Sequence, residues 1–249
     1  VAKPLSAADF IAALRAEGLR VVEVGNWRTH NRAGHGAWGP VNGVMIHHTV
    51  TKGTASTVAI CRDGHSDLPG PLCHGVIAKD GTVHLVGYGR ANHAGLGDDD
   101  VLAAVIDERA LPADNEANTD GNARFYGFEC ENLGDGKDPW PAAQLEAIEK
   151  VSAAICRKHG WSERSVIGHL EWQPGKVDPR GFGMDWLRGQ IRDRLKPTTT
   201  YTVRKGDTLW SIAASKLGDG NRWAEIAKLN ALKNADDITS GQTLKLPKK

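Results

Sequence analysis

Three groups of acid–base or ligand-capable side chains fall where strands are expected to end. They are His47 and His48 after "GVMI", Glu129 and Glu131 in "FECENLG", and His169 after "SVIG" with the loop that runs to Asp178. Strand ends are where α/β proteins tend to build sites. Zinc accepts neutral imidazole and carboxylate oxygen, and a catalytic zinc keeps three protein ligands and one open position. His47, His169 and Asp178 would supply two nitrogens and an oxygen. Such an ion lowers the pKa of water from about 15.7 to about 7. Glu129 could then take a proton from that water. Lys176, on the same loop as Asp178, could counter the negative charge of an attacked carbonyl. Residue types alone also fit a plainer reading, in which the histidines are hydrogen-bonded structural residues and Asp178-Pro179 forms a turn.

The elements that must position these groups alternate along the chain. Ser6, with Asp9 three places on, starts a helix running to about Glu17 before Gly18. "GVMIHHTV" is a β-branched, buried strand, and "TASTVAICRDG" reads as a helix. "LCHGVIAKDGTVHLVG" reads as two strands around an Asp-Gly turn. "FYGFECENLG" is a further strand. "PAAQLEAIEKVSAAICRKHG" is a long helix with Leu145, Ile148, Val151 and Ile155 on one face and Gly160 as its stop. "SVIGH" is a last short strand, and "GMDWLRGQIRDRL" a closing helix. The expected fold class is α/β, a mixed central sheet flanked by helices. Glu129 and Glu131 share a face by strand alternation, so periodicity does not separate them.

"KPTTT" at 196–200 reads as a linker between a domain at 1–195 and a second at 201–249. All ten histidines precede it. Residues 1–195 hold 21 Lys+Arg and 25 Asp+Glu, a balance of −4, whereas 196–249 hold 10 and 5, a balance of +5. The basic tail suits an anionic polymer such as a cell-wall component. The formal net charge of +1 makes no general case for nucleic acid, and no stretch approaches the length of a membrane span. The tail reads as a β-α-α-β unit. It has a strand at 201–203, a helix capped by Asp207, a second helix capped by Asn221 and a strand at 243–246, with Trp210 and Trp223 assigned to its core. Cys61, Cys73, Cys130 and Cys156 show no CxxC spacing and read as buried free thiols, with a Cys61–Cys73 bridge left open. A cysteine peptidase built on Cys73 or Cys130 is disfavoured, because neither sits at a helix N-terminus that would favour thiolate.

"VMIHHTV", "LCHGVIAKDGTVHLV", "NHAG", "YGFECENLG" and "VIGHLEWQPGKVDPRGFGMDW" together resemble the zinc N-acetylmuramoyl-L-alanine amidases in order and spacing. That family includes phage lysozyme-like amidases and the animal peptidoglycan recognition proteins. The resemblance implies a peptidoglycan amidase fold with zinc on His47, His169 and Asp178, the last matching the branch with a carboxylate ligand. It further implies Glu129 and Lys176 as catalytic groups, with His93 of "NHAG" lining the substrate groove. Cys73 stands where some members carry a catalytic tyrosine, before the strand histidine His74. His74 is grouped with His93 as substrate-binding.

"YTVRKGDTLWSIA" and "LKLP" resemble a LysM module, which binds glycans containing N-acetylglucosamine. The resemblance implies contacts from Gly206, Asp207, Thr208 and Leu209 on one side and Asp237 and Ile238 on the other. The joint expectation is a monomeric zinc hydrolase of bacterial peptidoglycan, cleaving the bond between the lactyl group of N-acetylmuramic acid and L-alanine. A non-catalytic peptidoglycan-binding protein is the alternative. "VAKPLSAADF" lacks a signal pattern, which fits a phage endolysin held in the host cytoplasm until release and then acting at the wall. A bacterial autolysin acting outside the cell fits the same residues.

Overall fold

The computed structural model describes residues 2–196 and 199–247; Pro197 and Thr198, part of the stretch read as linker, lie outside them. The chain divides into two units, Val1–Leu195 and Lys196–Lys249.

The first unit is built on a six-stranded sheet. Its strands are β1 (Val21–Glu23), β2 (Gly43–His48), β3 (Gly75–Ile77), β4 (Val83–Leu85), β5 (Phe125–Cys130) and β6 (Val166–Gly168). The order is β1-β4-β3-β5-β2-β6. Strands β3, β5, β2 and β6 are mutually parallel, and the β3/β4 hairpin is the antiparallel step. The carboxyl ends of β5, β2 and β6 therefore lie side by side.

Every residue of β2 is buried, because both faces of the sheet are covered. Val44 and Ile46 enter the larger core, where α1 (Ala7–Ala16), α4 (Ala142–His159) and α5 (Met184–Leu195) contribute Phe10, Ile148 and Leu187. Met45 enters the other core, with Trp172, Phe125 and α3 (Asp99–Ile106). Side chains alternate along a strand, so His47 continues the Met45 face and Glu129 the Phe125 face. The reactive groups thus emerge on the side away from α1 and α4.

Local signals account for most of these elements. Ser6 caps α1 through the Asp9 amide at 3.0 Å. Gly160 ends α4 at φ +72°, where a side chain would be strained. Helix α2 (Thr54–Asp63) packs Cys61 beside Cys73, Val76 and Val86. Helix α3 and strand β1 were not expected from the sequence. The signal for α3 was present in Asp98, whose carboxylate accepts from the Asp100 and Val101 amides. All four cysteines are free and buried.

In the second unit β7 (Thr199–Thr202) pairs antiparallel with β8 (Thr243–Leu246). The strand begins at Thr199, inside the stretch read as linker, because Thr199 and Thr200 still have partners in Leu246 and Lys245. The helices are α6 (Leu209–Leu217) and α7 (Trp223–Leu229). Thr208, not Asp207, caps α6, accepting from the Ser211 amide at 3.0 Å. The Asp207 carboxylate is taken by the Arg204 amide and the Tyr201 hydroxyl, both at 2.8 Å. Asn221 caps nothing; Asp219 opens the short turn before α7 by accepting from the Asn221 amide. Trp210 is 58% exposed and Trp223 38%, not core residues as expected. Leu209, Ile212 and Ala213 supply the buried stripe of α6, and Trp210 falls outside it, its ring lying against Gly220.

Candidate metal centre

His47 is the fifth residue of β2, and Glu129 is its partner in register on β5. His169 follows directly on β6, whose last residue Gly168 pairs with Ile46. The loop from His169 folds back so that the Leu170 amide donates to the Asp178 carbonyl at 2.7 Å. His48 anchors the same loop from the other side of β2, its Nδ1 accepting from the Arg180 amide at 3.1 Å. Glu171 stiffens the turn, held by Arg188 at 2.8 Å and accepting from the Gly168 amide at 3.0 Å.

Three ligand atoms converge as a result. His47 Nδ1 lies 3.1 Å from His169 Nδ1 and 3.0 Å from Asp178 Oδ2, and His169 Nδ1 lies 3.2 Å from the same oxygen. This is the one cluster of potential metal ligands among the described residues. Burial drives the His47 imidazole down to about 4, which favours the neutral, ligating form. Burial acts to raise the Asp178 carboxyl, but the imidazoles of His169 and His47 against it outweigh that and hold the group well below the usual carboxylate range. Three electron-pair donors facing one another have too few protons to satisfy them all, and a single cation would. Ligands about 2.0–2.1 Å from a tetrahedral zinc stand about 3.3 Å apart, close to the observed triangle. The donor set and its spacing therefore fit a zinc ion.

Glu129 borders this cluster. Its Oε2 is buried and has no hydrogen-bond partner. Burial first, then the charge of Asp178, pushes its carboxyl up to about 8, against an opposing pull from Lys176. Glu131 is differently employed: its two oxygens accept from the Gly53 amide at 2.9 Å and the Thr54 hydroxyl at 2.7 Å, at the start of α2. The two glutamates are thus told apart by their partners. Lys176 is exposed on the loop before Asp178, near enough for its charge to act on both His47 and Glu129.

Two expected substrate residues are enclosed instead. His74 is 0% exposed and both ring nitrogens are used, Nδ1 accepting from the Gly127 amide and Nε2 facing the Gly89 carbonyl, each at 2.9 Å. It pins the start of β3 to β5 and presents nothing to a groove. His93 is 8% exposed and leans on the back of His47. Burial pushes the Cys73 and Cys130 thiols up, the opposite of what a nucleophile needs. In the second unit Gly206, Thr208 and Asp237 are at or near the surface, whereas Leu209 is 2% exposed and belongs to the core. Any part Leu209 plays in binding falls to its backbone. Ile238 is half-buried against that core.

The family model described as N-acetylmuramoyl-L-alanine amidase matches residues 37–181, and the LysM domain model matches residues 201–247. The chain is 26% identical over 172 residues to the N-acetylmuramoyl-L-alanine amidase XlyB of Bacillus subtilis, a match covering 62% of this chain and 53% of that protein. It is 31% identical over 130 residues to the amidase XlyA of the same organism, covering 52% and 41%. The chain spans about half the length of the curated relatives it matches. Among solved structures, the N-acetylmuramoyl-L-alanine amidase LysC from Clostridium intestinale URNW aligns with a TM-score of 0.48 at 18% identity, covering 69% of this chain and 97% of that one.

Proposed function

Since the chain belongs to the N-acetylmuramoyl-L-alanine amidase family and carries a LysM domain, we propose that it is a zinc-dependent hydrolase of bacterial peptidoglycan. The bond cleaved is the amide joining the lactyl group of N-acetylmuramic acid to L-alanine. The observation that carries this reading is the convergence of His47, His169 and Asp178 beside the unpartnered Glu129 Oε2.

The chemistry a zinc ion supplies when bound there is Lewis acidity, which polarises an amide carbonyl and acidifies water. The chain's own groups do the rest. Glu129 accepts a proton from the attacking water as the water oxygen bonds to the carbonyl carbon. It then returns that proton to the alanine nitrogen as the C–N bond breaks. Burial raises its pKa above the usual carboxylate value, towards the neutral pH at which both transfers take place. Lys176 places a positive charge beside the developing oxyanion. Asp178 and the two histidines are buried or nearly so, which limits competing water.

The LysM domain would hold the enzyme on intact glycan, making the second contact effectively intramolecular. A small diffusing fragment gains nothing from such an anchor. The proposed setting is therefore the cell wall, reached from the host cytoplasm if the protein is a phage endolysin. Both contacts sit on one chain, so a monomer suffices.

The test is wall digestion with product analysis. Purified walls should release stem peptides bearing a free L-alanine amine and leave the glycan intact. A chelator should abolish the release and zinc restore it. Wall binding without amide cleavage in the presence of zinc would sink the enzymatic reading in favour of a binding protein.

A further inference from the structure

His93 has the wrong surroundings for a groove residue and the right ones for a support. Its backbone is fixed by Asn122, whose Oδ1 accepts from the amides of His93 and Ala94, each at 2.8 Å. The Ala94 carbonyl in turn accepts from the indole of the fully buried Trp172 at 3.0 Å. The ring lies over Gly127 of β5, where a Cβ would come within 2.4 Å of His93 Nδ1. Any larger residue at 127 would displace it.

The ring nitrogens face two different partners. Nε2 lies 3.3 Å from the Phe125 carbonyl, and Nδ1 lies 3.1 Å from Nε2 of His47. A carbonyl can only accept, so Nε2 of His93 carries the hydrogen. A neutral imidazole has one N–H, so Nδ1 is bare and accepts from His47. That puts the His47 hydrogen on Nε2 and leaves Nδ1 with its lone pair, aimed at His169 and Asp178. We propose that His93 is a positioning residue that holds His47 in its metal-ligating tautomer, with the Phe125 carbonyl setting the direction of the chain. The inference rests on reading His47 as a ligand. Partners of this kind orient a ligand and raise its basicity, and their loss weakens metal binding by about 10- to 100-fold.

The experiment uses the full chain. In the metal-free wild type, 15N NMR of the imidazole nitrogens should find the His47 proton on Nε2. His93→Leu should then bind zinc about 10- to 100-fold more weakly in competition with a chromogenic chelator. His93→Gln keeps an acceptor and a donor on one amide and should recover most of that affinity. KM for a soluble muropeptide should be unchanged in the zinc-saturated variants. A proton on His47 Nδ1, wild-type zinc affinity in His93→Leu, or no recovery in His93→Gln would each overturn the proposal. So would a raised KM with zinc affinity intact, which would return His93 to the substrate groove. Failure of the wild type to bind zinc would instead sink the hydrolase reading, and the NMR measurement, which needs neither metal nor variant, would still decide on His93.

Discussion

Glu129 and Glu131 are the same chemical group two residues apart, and only their partners distinguish them. Glu129 has an oxygen with no partner, whereas both oxygens of Glu131 are spent on α2. Glu129→Gln should therefore keep zinc, measured by metal analysis, and lower kcat by about 10²- to 10⁴-fold. A general base must be ionised, so activity should fall as pH drops through the pKa of Glu129. Burial raises that pKa from 4.5 towards about 8, and a bound cation draws it back, so the acidic limb of kcat/KM should lie between those values. A limb below 4.5 would remove Glu129 from the role. Asp178→Ala takes away a ligand oxygen. It should cost the protein its zinc and its hydrolysis while the tail still retains it on wall glycan, read by metal content and a pull-down.

Elements, rather than single residues, bring these groups within bonding distance. Three parallel strands end side by side, and one loop returns across their ends, tied by His48 to Arg180 and by Leu170 to Asp178. Glu131 links the end of β5 to α2 through two charge-assisted bonds at the helix N-terminus. Glu131→Gln should lower stability to urea by about 1–3 kcal/mol, the scale of hydrogen bonds to a charged group. It should leave zinc content and kcat near wild type. A collapse of kcat with stability unchanged would show that Glu131, not Glu129, handles the proton. In the second unit, Gly220→Ala would drive a Cβ to within 2.3 Å of the Trp210 ring, so that unit should lose stability while the catalytic unit does not.

At the scale of the whole molecule, the chain forms two units with separate cores, between which the proposed function would divide cleavage and anchoring. A chain ending at 195 should cleave a soluble muropeptide at the full-length rate. On insoluble wall it should be slower by about 10²-fold, the lower end of what tethering supplies. The tail's excess of 10 basic over 5 acidic residues should make its share of wall binding weaken as salt is raised, read by a pull-down on purified wall. Equal wall activity with and without residues 196–249 would deny the tail its anchoring role.

Order along the chain was enough to read the alternation of strands and helices and the two-part organisation, because hydrophobic period is a local property, and it singled out His47, His169 and Asp178 only through the family resemblance that the motifs carry. The same information misjudged what depends on neighbours from elsewhere. His74 and His93 look like groove residues in sequence, but the sheet closes over both. Trp210 and Trp223 look like core aromatics, but the helices turn them outward, and the cap of α6 moved from Asp207 to Thr208 once Tyr201 and Arg204 claimed the carboxylate. Which glutamate is free, and which imidazole nitrogen is bare, follows from contacts between residues far apart in the chain. Burial and hydrogen-bond pairing are set by those contacts, and they exist only after the chain has folded.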